Sequence, residues 1–240
     1  MGPHIRKFLA KEGMNPVPGT LTPAQSDFFD PPANPTPVDP KMYQSTQGGL
    51  VFYTPVRSDI KPYVNHLSRQ NHHPTHSDRS KQITILRYIK AYPDERPTFS
   101  ANPADYPNGT QLSASADNSH GSLHNGQSLS GILYTIRHNN AAFAFFASAE
   151  PGISLSPQEG EYHTMSRAAK QCIFWRQFLE GLSFSQPLPT IIHEDNLPAI
   201  NLVKAPEVTR NSRHMLIKHH YIRWLYQQNL ILPVHQSTNG

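Results

Sequence analysis

The chain has 240 residues, a net charge of +4, 23 prolines, 14 histidines and one cysteine. That length can bury the cores of one large or two small domains. The lone Cys172 excludes a disulfide framework or a cysteine metal site, and no run is apolar enough to cross a bilayer or form a signal-peptide core. A soluble, intracellular protein is expected, with no membrane and no disulfide-linked partner. The basic balance favours a polyanionic partner without demanding one.

In chain order, Ile5 to Gly13 can make two helical turns with Ile5, Phe8 and Leu9 on one side. Eight prolines between Pro16 and Pro40 then oppose regular structure, so residues 14–40 read as an extended linker. Helical patterns follow over Lys41–Phe52, Ser58–Gln70 and Ser77–Ala91, with Ile83, Leu86 and Ile89 on the apolar face of the last. His72, His73 and His76 lie in a proline-containing loop with no fourth ligand in register, which argues against zinc. Residues 95–110 read as a second linker.

Beyond it the pattern changes to strands. QLSASAD alternates weakly, and SGILYTIR and AAFAFFAS supply strands over Gly131–Arg137 and Ala142–Ser148, joined by a tight turn at His138, Asn139 and Asn140. EGEYHTMSRAAKQCIFWRQFLEGL then places Tyr162, Met165, Ala169, Cys172 and Leu179 at helical spacing, with Ile173, Phe178 and Leu182 widening the stripe. Ser156 and Glu159 have the form of a capping box, with Pro157 at the first helical position and Gly181 near the exit. PTIIHED reads as a buried strand, two further helices follow, and LILPVHQ closes the series as a fifth strand.

Three carboxylates stand at the ends of these elements: Asp117 and Asp195 at strand ends, Glu161 at a helix start. A first-turn glutamate ordinarily complements the helix dipole. Together with two strand-end aspartates it can also bind a hard divalent cation. Glu159 is a capping residue on this reading. Glu194 points to the opposite strand face from Asp195 and is a poor ligand candidate.

The run from Glu159 to Leu182, followed by HEDNLPAINLVKAPEVTRNSRHMLIKHHYIRW, resembles the ribonuclease H domain of copia-type retrotransposon Pol polyproteins through its EYxxxS, DNxxAI and RHxxIxxHxIR elements. Upstream, VDPKMYQSTQGGLVFYTPVRSDI and PTHSDRSKQITILRYIK are similar to the same family's region after the reverse transcriptase. The resemblance implies an α/β, ribonuclease H-like mixed five-stranded sheet with flanking helices, preceded by a mostly helical thumb/connection region. It divides the chain into residues 1–40, the exit of the reverse transcriptase with a Pro-rich linker; 41–95, the helical thumb/connection-like region; and 111–240, a ribonuclease H-like domain truncated at its C-terminus. No YxDD-like polymerase motif occurs, so DNA synthesis by this chain is not expected.

The resemblance further implies hydrolysis of RNA in an RNA–DNA hybrid by two Mg2+ (or Mn2+) ions, with Asp117, Glu161 and Asp195 as catalytic metal ligands. The rest of the Pol polyprotein is then the other partner. For the nucleic-acid backbone Lys204, Arg210, Arg213, Lys218 and Arg223 are candidates, and a solvated helix face explains each nearly as well. His214 and His220 match family histidines, and His235 lies near the end. The family's fourth acid would fall beyond Gly240, and its SDADW is SADNS here. A non-catalytic remnant that keeps the fold and binds nucleic acid therefore stands as the alternative.

Overall fold

A computed structural model of the chain describes residues 2–31, 34–99, 111–123, 125–136, 142–205 and 216–237, with only the backbone for 216–220. It forms two compact units, Met1–Pro97 and Thr98–Gly240.

The first unit is helical: α1 (Gly2–Lys11), α2 (Pro40–Tyr53), a 3-10 turn (Ser58–Ile60), α3 (Lys61–Ser68) and α4 (His76–Ala91). Local chemistry sets its boundaries. Asp39 caps α2 by accepting from Lys41 N, with Pro40 at the first helical position, and Thr75 and Asp78 form a reciprocal capping box on α4. The proline-rich stretch is not a loose linker. It has no helix of its own, but Met14 and Phe28 are buried in the same cluster as Tyr43, Leu50, Leu67 and Leu86. Fixed proline dihedrals forbid regular structure without forbidding packing, which is why residues 14–40 could be extended and still belong to the core. Arg57, 1% exposed, ties α2 to the end of α4 by donating to Asp59 and to the Tyr92 carbonyl.

The second unit is a five-stranded sheet in the order β3-β2-β1-β4-β5. The strands are β1 (Leu112–Ser119), β2 (Leu129–Ile136), β3 (Ala142–Ala149), β4 (Thr190–Glu194) and β5 (Ile231–His235), with helices α5 (Pro157–Gly181), α6 (Leu197–Lys204) and α7 (Leu216–Gln227). The first three strands are antiparallel neighbours, whereas β4 joins β1 and β5 joins β4 in parallel. Parallel pairing requires crossovers: α5 carries the chain from β3 to β4, and α6 and α7 lie between β4 and β5. Pro233 is tolerated because β5 is an edge strand. The core lies between the sheet and α5, where Ala114, Ile132, Tyr134 and Ile192 meet Tyr162, Met165, Ala169 and Cys172.

Helix α5 follows its sequence signals with two differences. Ser156 accepts from Glu159 N, but the Glu159 carboxylate turns back to Leu155 N rather than to the cap itself. At the far end the left-handed residue is Ser183, φ 68°, with Phe184 N bonding the Leu179 carbonyl, so Gly181 is the last helical residue and not the turn. Phe178 and Leu182, expected to widen the buried stripe, are 50% and 53% exposed because at helical spacing they lie off the face that buries Met165, Cys172 and Leu179. The turn expected at His138, Asn139 and Asn140 lies outside the described residues.

Candidate metal centre

Asp117 sits near the end of β1 and Asp195 directly after β4, which are neighbouring parallel strands with Ser115 opposite His193. Glu161 is the fifth residue of α5. One carboxylate oxygen from each of the three lies within 4.8 Å of the other two. The aspartates are exposed and Glu161 is buried, 6% exposed. Asp117 and Asp195 line a shallow cleft of about 220 Å³ with Ser115, His193, Glu194 and Gln236. The three acids named from sequence are thus brought together from distant positions in the chain.

The electrostatics follow from that crowding. Burial pushes the Glu161 carboxyl well above the usual glutamate range, and Glu194, Asp117 and Asp195 push it further. Partial burial raises Asp117, and the Asp195 carboxylate adds to the rise. Three close carboxylates in a partly desolvated site repel one another, and a hard cation removes the repulsion while using their oxygens as ligands. Buried Glu161 Oε2 has no hydrogen-bond donor among the described residues. The donor set therefore fits a magnesium or manganese ion.

Strand alternation makes Glu194 a poor ligand candidate; although it borders the cleft that Asp117 and Asp195 line, it shares the buried face of β4 with Thr190 and Ile192. That face is where α5 lies. Glu194 is 1% exposed, and its charge adds to burial in disfavouring ionisation of the Glu161 carboxyl; Oε2 of each has no hydrogen-bond partner among the described residues. Glu194 Oε1 accepts from Asn196 N at 3.1 Å, and burial drives its proton affinity up. Strand parity predicted the direction of this side chain, but only the position of α5 reveals what it meets.

A polar network missed in the sequence lies behind the acids. Asn118 Nδ2 donates to Ser130 Oγ at 3.3 Å and to Thr164 Oγ1 at 3.0 Å, and Ser130 donates to Glu150. Arg167 holds Glu150 at 2.8 Å. This joins β1, β2, the end of β3 and α5 next to Asp117.

The basic candidates divide. Lys204 is exposed at the end of α6. Arg223 is 8% exposed and donates from Nε to the Leu202 carbonyl at 2.9 Å, so it fastens α7 to α6 instead of projecting as a surface grip. Arg210, Arg213 and His214 lie outside the described residues, as do the side chains of Lys218 and His220. His235 is exposed at the end of β5, in register with Glu194.

Strand order, strand directions and helix positions make residues 111–237 a ribonuclease H-like domain with an acid cluster at the adjoining ends of β1 and β4. The chain is similar over most of its length to retrovirus-related Pol polyproteins of plant transposons, as its resemblance to the copia type implies. It is 25% identical to that of transposon RE2 and 26% identical to that of RE1, both of Arabidopsis thaliana, in each case over 84% of this chain. Identity to the Pol polyprotein of transposon TNT 1-94 of Nicotiana tabacum is 24% over 82% of the chain. The chain spans about 13% of the length of the two Arabidopsis polyproteins. No family model matches. Among solved structures, LC11-RNase H1, isolated from compost, is similar over 54% of this chain and 86% of its own, at 12% identity and a TM-score of 0.42. The foamy viral protease-reverse transcriptase is similar over 84% of this chain and 40% of its own, at 16% identity and a TM-score of 0.34. Among the described residues no helix is long and apolar enough to cross a membrane, and Cys172 is a buried free thiol.

Proposed function

We propose that the second unit is the ribonuclease H domain of a retrotransposon Pol polyprotein and hydrolyses the RNA strand of RNA–DNA hybrids with divalent metal. The observation that carries this reading is the convergence of Asp117, Glu161 and Asp195 within 4.8 Å. These carboxylates would hold two Mg2+ or Mn2+ ions, which when bound supply an activated water and stabilise the departing 3′-oxygen. The protein's part is to orient and to position. Glu161 comes from near the start of α5, Asp117 is fixed by strand pairing, Asp195 directly follows the paired strand β4, and Glu194 lies buried beside them. Lys204 lies on the exposed surface of α6 as a contact for the nucleic-acid backbone, with the segment up to Lys218 as its extension. Arg223 acts in packing. The helical unit, residues 41–95 with the packed stretch before it, is the thumb/connection-like part, whose partner is the rest of the polyprotein.

The test is cleavage of an end-labelled RNA–DNA hybrid by the full chain with Mg2+ or Mn2+, beside Glu161→Ala and Asp195→Asn. Metal-dependent cleavage of the RNA strand that falls at least about a hundredfold in both variants is expected, a loss of roughly 2.7 kcal/mol of transition-state stabilisation. Hybrid binding without cleavage would instead identify a nucleic-acid-binding remnant.

A further inference from the structure

We propose that Asn118 and Gly160 form a size-matched contact that sets the separation of Asp117 and Glu161, so that both are positioning residues for the acid cluster. The inference rests on the reading of that cluster as a metal centre. Asn118 follows Asp117 and Gly160 precedes Glu161, so the spacing at which the Asn118 side chain meets Gly160 bears on where the two carboxylates start.

The contact is unusually close. A Cβ added to Gly160 would stand 2.5 Å from Asn118 Oδ1 and 3.0 Å from its Cγ. The Gly160 φ lies outside the left-handed region, so no backbone conformation calls for glycine there, and glycine weakens a helix relative to alanine. Close approach is the remaining reason for it.

Asn118 has no room to withdraw. It is 6% exposed, and its Nδ2 is engaged by Ser130 and Thr164, whose hydroxyl oxygens lie 2.8 Å apart. Thr164 Oγ1 also donates to the Gly160 carbonyl at 3.1 Å, fixing the same helical turn from the other side. Asn118 Oδ1, buried and without a donor among the described residues, is the atom pressed against Gly160. A methyl group at position 160 must therefore move α5 away from β1 by close to an ångström to restore ordinary contact, whereas metal ligands tolerate displacements of only about 0.2 Å. Removing the Asn118 amide group opens the space that the methyl group needs.

The experiment compares Mn2+ binding, by calorimetry and by loss of the free-ion EPR signal, in the full chain and in Gly160→Ala and Asn118→Ala/Gly160→Ala. Binding at least about tenfold weaker in Gly160→Ala, returning to within about threefold of the native chain in the double variant, is expected. Should Gly160→Ala fail to fold while the double variant folds and binds, the collision is likewise confirmed. Undiminished binding by Gly160→Ala, or no recovery in the double variant, overturns the proposal. If the native chain itself binds no Mn2+, the metal reading fails. Crystal structures of the same variants then decide the positioning claim: it requires an Asp117–Glu161 separation widened in Gly160→Ala and restored in the double variant.

Discussion

Glu161 and Glu194 are both buried, and among the described residues neither has an ion pair with an arginine or lysine. Each holds its proton to higher pH in the folded chain than in the unfolded one, chiefly because burial disfavours the anion. The folded state therefore binds more protons than the unfolded state once pH exceeds the ordinary glutamate value of about 4.3. Stability from these groups is complete below that value and is lost as pH rises through the raised folded values. In EDTA, the melting temperature of the second unit should fall between pH 5 and pH 8, and Glu161→Gln should flatten the decline; an equally steep decline in the variant would remove Glu161 as its cause. Added Mn2+ should reverse the loss at pH 8, since a bound cation favours the anions. That Glu161 would stand with Asp117 and Asp195 was legible from a helix start and two strand ends. Its nearness to Glu194 was not, because parity gives the direction of a strand side chain and says nothing of the element packed there.

Helix α5 is the element on which the second unit depends. Its cap is a side chain, and Ser156→Ala should cost about 1 kcal/mol, measured as a shift in the urea midpoint. Its other end is held by Arg176, which is 8% exposed and donates to the carbonyls of Gln186 and Leu188 and to Thr190 Oγ1. Burial lowers the proton affinity of this guanidinium, and its three oxygen partners offset that burial. Arg176→Ala should therefore destabilise by about 2–4 kcal/mol, more than the cap, and a loss below 1 kcal/mol would show that water replaces the clamp. Sequence periodicity located the helix but misjudged Phe178 and Leu182, since the width of the buried stripe is set by what packs against the helix.

Each of the two units closes its own hydrophobic cluster: Ile5, Tyr43, Leu86 and their neighbours in the first, Leu112, Tyr134, Met165 and theirs in the second. Leu86 and Met165 are both fully buried, so Leu86→Ala and Met165→Ala should each cost about 2–5 kcal/mol in their own unit. Hydrogen exchange resolved along the chain should show protection lost mainly in residues 2–97 for the first variant and 111–237 for the second. Loss across both in either variant would mean that the units unfold as one. Composition had shown a change of character near residue 100, from proline-rich helical patterns to strands, but it did not show that Met14 and Phe28 belong to the helical core.

Several features of the chain were determined by sequence alone. Periodicity and capping residues located helices and strands to within a few residues, because hydrogen bonding and side-chain direction repeat locally. The run around EGEY and HEDN identified the fold, and the element ends supplied three acids. Tertiary structure decided what lies opposite what. Packing placed Arg223 in the interior, put Glu194 against Glu161, and pressed Asn118 against Gly160, because such contacts depend on the approach of elements remote in sequence, which no local pattern encodes.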